Sequence, residues 1–245
     1  MYTEYHKWWS PHLRQEMELK VYGQAGRPLL VFPAQGGRFY EYEDFGMINA
    51  IAGSITAGRA QVFTVDSVDL QSWANFGALP AERAQRHQEY DRYIVQEVVP
   101  LIRGYGYEGD KALTTGVSMG AYHAGNFFFR HPDCFGGCIA LSGLFRLDHF
   151  IGDYMDENVY FNTPLAYLRN LEDPAYIEQY RQSQIIVCVG QGAWEDEMRG
   201  DVAELRRILD SKGVPAWIDF WGPDVDHDWP WWRVQMPYFL SRLGL

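Results

Sequence analysis

The five residues Gly116-Val-Ser-Met-Gly120 constrain the fold of this chain more than any other stretch. They follow the apolar run "KALTT" and open "MGAYHAGNFFFRH", which predicts a strand leading into a helix that Pro132 stops. Glycines two residues before and two after a serine suit a turn so sharp that strand and helix backbones nearly touch, leaving no room for side chains there. Such a turn forces its central residue, here Ser118, into unfavourable φ/ψ values. It also aims the free N–H groups of the new helix at the serine hydroxyl. The bland alternative is a packing corner with an inert serine.

The rest of the chain alternates in a way that suits this turn. Short β-rich runs ("MELKVYG", "PLLVFPAQGG", "AQVFTVDS", "GCIALSG", "QIIVCVG", "AWIDFW") are separated by longer segments of helical period. Pro80–Arg103 places Tyr90, Ile94, Val98 and Ile102 four residues apart behind a proline at the first helical position, which predicts one long helix. "DEMRGDVAELRRILDSKG" is a helix closed by Gly213, and "PWWRVQMPYFLSRL" is a last helix begun by a proline. The pattern predicts an α/β fold, a mainly parallel central sheet with helices on both faces. Between Leu144 and Gln182 the periodicity fades into a stretch rich in Asp, Tyr, Phe and Asn, read as a short cap insertion. With 245 residues and no repeat or linker, a single domain over 1–245 with the cap at 144–182 is expected.

Charge and cysteine content narrow the partners. The formal net charge is −11 and no Lys/Arg cluster offsets it, so nucleic acid and anionic membrane surfaces are expected not to be partners. No apolar run is long enough to span a bilayer, and "MYTEYHKWWSPHL" lacks the apolar core of a signal peptide, so a cytoplasmic location is expected. The three cysteines Cys134, Cys138 and Cys188 suit neither a disulfide framework nor a zinc site and are read as reduced, packed thiols.

A serine hydroxyl attacks only when a base takes its proton and a carboxylate orients that base. Of seven histidines, His6 and His12 precede the sheet, His87 is placed on the long exposed helix, His123 and His131 ride behind the serine, and His149 lies in the cap. His227, in "GPDVDHDWPWW", occupies a loop after the last strand, on the edge where ligand crevices of open α/β sheets form. It is the favoured base; the alternative is a solvated loop histidine neutralised by Asp226 and Asp228. The acid is expected after "QIIVCVG", where "GQGAWEDEM" offers Glu195, Asp196 and Glu197. Glu195 stands slightly ahead of Asp196, with Glu197 behind. Glycines in "FPAQGGRFY" let Gln35 or Gly36 donate one N–H of an oxyanion hole while Met119 donates the other. Trp73, Phe145 and Trp231, among the many aromatics, are candidates for walling a substrate pocket.

Taken together, "WWSPHLRQEMELKVYG", "LLVFPAQGG", "TTGVSMGAYHAGNFFFRHPDCFGGCIALSG" and "GPDVDHDWPWWR" resemble the esterase family of α/β-hydrolases that includes esterase D, feruloyl esterases and mycobacterial mycolyltransferases. The resemblance spans nearly the whole chain and implies an α/β-hydrolase fold opened by a strand pair. It implies Ser118 as nucleophile, His227 as base, Glu195 or Asp196 as acid, and the N–H groups of Gln35 and Met119 as oxyanion hole. Many relatives have a simple Gly-x-x-Asp turn where this chain has "GQGAWED". The expected substrate is a small-molecule ester, cleaved without cofactor or metal. An acyltransferase with the same triad and a non-catalytic module that kept the fold are the alternatives, and a homo-oligomer is left open.

Overall fold

The computed structural model describes residues 1–245. Eight strands form one sheet in the order β1-β2-β4-β3-β5-β6-β7-β8, with β1 Thr3–Ser10, β2 Gln15–Tyr22, β3 Arg27–Phe32, β4 Ala60–Val65, β5 Ala112–Val117, β6 Phe135–Leu141, β7 Gln184–Val189 and β8 Trp217–Phe220. β1 pairs antiparallel with β2, and β2 antiparallel with β4; every other pairing is parallel. β3 and β4 are buried along their whole length, as continuous apolar runs in a doubly covered sheet should be.

Successive strand residues serve opposite cores, because side chains alternate across a strand. Leu30, Phe32, Phe63 and Val65 pack with Tyr90, Ile94, Phe127, Phe128 and Leu205, beneath helices Pro80–Tyr93, Met119–Arg130 and Asp196–Ser211. Their neighbours Leu29, Val31 and Val62 pack on the other face with Ile48, Ile51, Trp232, Met236 and Phe239, from the turns between β3 and β4 and from helix Trp229–Arg242.

Three features lie beyond the sequence expectations. The residues between β3 and β4, to which the sequence reading assigns no individual helix, form the short helices Glu41–Asp44, Met47–Ala50 and Ala52–Thr56. Each is four or five residues, too short for a 3.6-residue period to show. The helix from Pro80 widens into a π turn over Ile94–Val98 before continuing as Val99–Gly104. Pro100 has no N–H for the ladder and its ring would crowd the preceding turn, which the wider turn relieves. The stretch read as a cap holds four short helices, Asp148–Ile151, Glu157–Tyr160, Pro164–Asn170 and Pro174–Arg181. From it Leu147, Phe150, Ile151 and Val159 pack against Trp73, Met119 and Tyr122.

His87, expected on an exposed face, is completely buried. Its ring lies 4.8 Å from Trp73 and 5.4 Å from His123, and neither ring nitrogen has a hydrogen-bond partner. Burial first, then the nearby His123 and Arg130, push its pKa well below the ordinary value of 6.5. The folded state therefore binds the His87 proton less readily than the unfolded chain, so stability is retained above pH 6.5 and lost as pH falls below it. Thermal melts between pH 6.5 and 5 should show the native chain losing up to about 1.4 kcal/mol per pH unit from this group. His87→Phe should flatten the slope; an unchanged slope in that variant would assign it to other groups.

Candidate active site

Ser118 has φ 55° and ψ −122°, a conformation rare for a residue with a side chain. The surrounding backbone imposes it. A Cβ on Gly116 would stand 2.4 Å from the carbonyl carbon of Gly120, and one on Gly120 would stand 2.3 Å from the carbonyl oxygen of Phe32. The Ser118 N–H donates to the Leu141 carbonyl at 3.0 Å, tying the turn to the end of β6. Strain of this kind costs on the order of 1–3 kcal/mol and persists only where its surroundings enforce it.

The Ser118 Oγ lies 2.9 Å from Nε2 of His227, which comes from the loop after β8. The His227 backbone N–H donates to the Ala193 carbonyl at 3.0 Å, and its ring meets the edge of Trp232 at 4.9 Å. Nδ1 faces Glu195 Oε2 at 3.6 Å, and neither atom has another partner. Glu195 is fully buried. Its Oε1 accepts a 2.5 Å hydrogen bond from the Ser142 hydroxyl, which accepts one of 3.0 Å from Trp232 Nε1. The carboxylate is therefore oriented by a chain running through Ser142 to the last helix.

The other acids are engaged elsewhere. Asp196 has an 82% exposed side chain paired with Arg199 at 2.8 Å, so it stands at the cavity rim and not against the imidazole. Helical geometry explains the difference: Asp196 opens helix Asp196–Ser211, whereas Glu195 is the residue before it, still turned inward. Glu197 is also at the rim. Asp226 accepts from the Ala193 N–H at 2.6 Å and Asp228 caps helix Trp229–Arg242, so neither neutralises His227. Gly190 and Gly192 let the two loops close on each other: a Cβ on Gly190 would meet the Val225 carbonyl at 2.1 Å, and one on Gly192 would meet Asp226 Oδ1 at 2.2 Å.

A cavity of about 580 Å³ opens over Ser118 and His227. Gln35 and Met119 line it. Gly36, the alternative to Gln35, instead faces Leu70 in a neighbouring cleft with Arg38 and Asp66, because its positive φ of 72° turns the chain away. The loop is braced by Glu41, whose Oε2 accepts the Ala34 N–H at 2.7 Å. Burial, opposed in part by that hydrogen bond and aided by Asp69, raises Glu41 to about 7.

The expected pocket aromatics are not in the wall. Trp73 is fully buried behind Met119 and Tyr122, Phe145 is core packing under Gly125, and the half-buried Trp231 lies outside the cavity. The wall is instead built from Tyr122, Leu144, His149, Phe150, Trp194 and Met198. Tyr122 sits one helical turn beyond the serine, a spacing that could have revealed it, and Trp194 stands inside the acid loop, read only for its carboxylates. No three His, Cys, Asp or Glu side chains converge as a metal site would require.

A mainly parallel sheet, a strained serine between strand and helix, and loops from β7 and β8 meeting above it define the α/β-hydrolase fold. The chain belongs to the esterase family described as "Putative esterase", whose model matches residues 10–243. Among solved structures it is similar to a ferulic acid esterase (17% identity, 98% of each chain, TM-score 0.75). It is also similar to an S-formylglutathione hydrolase from Staphylococcus aureus (16%, 98% of this chain and 96% of that one, TM-score 0.71). A third is MPT51 of Mycobacterium tuberculosis (15%, 98% and 97%, TM-score 0.71). No curated protein matches the sequence. No helix is long and apolar enough to cross a membrane.

Glu41 carries a prediction for the loop beside the site. Its pKa is raised on folding, so the folded chain holds this proton more tightly, and stability falls as pH rises from about 4.5 to 7. Glu41→Gln keeps an oxygen for the Ala34 N–H and removes the titration. Melts at pH 8 should place this variant roughly 2–4 °C above the native chain. A lower melting temperature at that pH would show that the charged carboxylate is what the loop needs.

Proposed function

We propose that the chain hydrolyses carboxylic esters through an acyl-enzyme. Ser118 Oγ attacks the ester carbonyl carbon as His227 Nε2 takes its proton. Glu195, facing Nδ1, selects the tautomer that leaves Nε2 free to accept and stabilises the imidazolium that follows. The carbonyl oxygen gains its negative charge between the N–H groups of Gln35 and Met119, two residues that line the cavity. His227 returns the proton to the leaving alcohol. Water then gives its proton to the same nitrogen as it attacks the acyl carbon, and collapse of that adduct releases the acid and restores Ser118.

The observation that carries this reading is the 2.9 Å contact between Ser118 Oγ and His227 Nε2, made by a serine held in a conformation its neighbours force on it. An inert packing serine has no need of either. The buried Glu195 behind the ring supports it, since an unpaired carboxylate without solvent is costly unless it has a cation or donor to serve.

The purified chain should cleave short p-nitrophenyl esters and be labelled by a fluorophosphonate probe, and Ser118→Ala should abolish both; persistent labelling of that variant would place the nucleophile elsewhere. For the acid, Glu195→Gln should lower kcat on the order of 10³-fold, while Asp196→Asn stays within about threefold. The reverse ranking would assign the acid to Asp196. Product analysis with an added alcohol separates hydrolysis from acyl transfer.

A further inference from the structure

Arg27 is a buried cation with no carboxylate in hydrogen-bond contact. It is the first residue of β3 and only 5% exposed. Its side chain runs across the starts of β5 and β6 to the start of β7, at the end of the sheet opposite Ser118. Nε donates to the Lys111 carbonyl at 3.0 Å, and Nη1 donates to the side-chain oxygen of Gln184, both neutral acceptors. Nη2 makes no hydrogen bond and lies over Gly136, where a Cβ would stand 2.7 Å from it. The nearest carboxylate, Asp110, stays 3.6 Å from Nη1 on a 76% exposed side chain, so solvent screens the pair. Burial accordingly pulls the Arg27 pKa down, against the smaller opposing pull of Asp110 and Tyr107. A guanidinium taken out of water is costly unless an anion meets it.

A cavity of about 220 Å³ opens beside this guanidinium, and donors line it. Lys111 gives one Nζ proton to the Pro132 carbonyl at 2.8 Å and keeps two. Gln184, whose oxygen receives Arg27, has both amide N–H groups free. Gln179 and Gln182 each commit one N–H within their own segment, to the Ala175 carbonyl at 3.3 Å and to Glu178 Oε1 at 3.0 Å, and keep the other. Asp110 is the only acid in the wall. Two cations and three amides thus face a space that admits a few groups the size of a water molecule, at about 30 Å³ each. One oxyanion fits there; a nucleotide does not.

We propose that this cavity binds a phosphate-type oxyanion, free or as the terminal group of a small metabolite, with Arg27 Nη2 and Lys111 Nζ as charged donors and the Gln184 amide as a third. Hydrogen bonds from ionised donors to an anion are about twice as strong as neutral ones, which favours such a ligand over water. The bound anion links the starts of β3, β5 and β7. It uses no residue of the catalytic cavity, so the proposal stands apart from the esterase reading.

Phosphorus NMR of inorganic phosphate titrated with the full chain, at an ionic strength held constant with chloride, tests the site. The native chain should broaden the phosphate resonance saturably, with a millimolar Kd. Arg27→Gln should raise that Kd about tenfold and Lys111→Gln about three- to fivefold, as loss of one charge-assisted hydrogen bond implies. Asp110→Asn removes the one acid facing the anion and should lower the Kd about two- to threefold. Tighter binding cannot come from a damaged fold, so if Arg27→Gln does not fold, the opposite shifts of the other two variants carry the test. Glycerol 3-phosphate in place of inorganic phosphate separates the sources: a lower Kd assigns the site to a phosphorylated metabolite, an equal or higher one to the free anion. Broadening that never saturates, or a Kd unchanged in all three variants, would overturn the site and leave the esterase reading untouched.

Discussion

Everything at this site depends on how closely β5 approaches the helix that follows it. The backbone of Gly120 lies where a Gly116 side chain would be, and the carbonyl of Phe32 on the neighbouring strand lies where a Gly120 side chain would be. With both positions stripped to hydrogen, the chain can turn within three residues, and Ser118 accepts a left-handed conformation because nothing else fits. The same turn sets the N–H of Met119 beside the serine without a separate device. Any enlargement at either glycine must move a backbone.

A second close approach brings the other two components in. Gly190 and Gly192 allow the loop after β7 to lie against Val225 and Asp226 of the loop after β8, and the hydrogen bonds of Ala193 then fix their relative position. Glu195 and His227 meet because these loops are laced together before either side chain is considered. Two sets of glycines thus do one kind of work: they remove side chains where backbones must touch, so that functional side chains elsewhere can be aimed.

The βαβ alternation was legible because each strand and long helix carries its own period, and the strained serine because glycines at fixed offsets leave little else for that segment to do. The meeting of His227 with Ser118 was legible from the histidine's position on the strand-end edge. Elements whose identity depends on tertiary context were not. The turns from Glu41 to Thr56 are shorter than a helical repeat, and the burial of His87 depends on Trp73 and His123 closing around it. The pocket wall was misassigned for a related reason: composition marks aromatics without saying which way they face, and Trp73 and Phe145 turn inward while Trp194 turns out. Telling which of Glu195 and Asp196 faces the His227 ring needed the helix boundary to within one residue, where sequence patterns are least sharp.

Trp232 belongs to two assemblies at once. Its indole N–H holds the Ser142 hydroxyl that orients Glu195, its ring edge supports His227, and its bulk fills the core beneath helix Trp229–Arg242. The final helix is therefore not passive packing. Fraying at the C-terminal end of the chain would loosen the carboxylate and the imidazole together; under the mechanism proposed above, turnover would then fail before the sheet itself lost any order, and activity would report on the docking of a helix that contributes no group to the reaction.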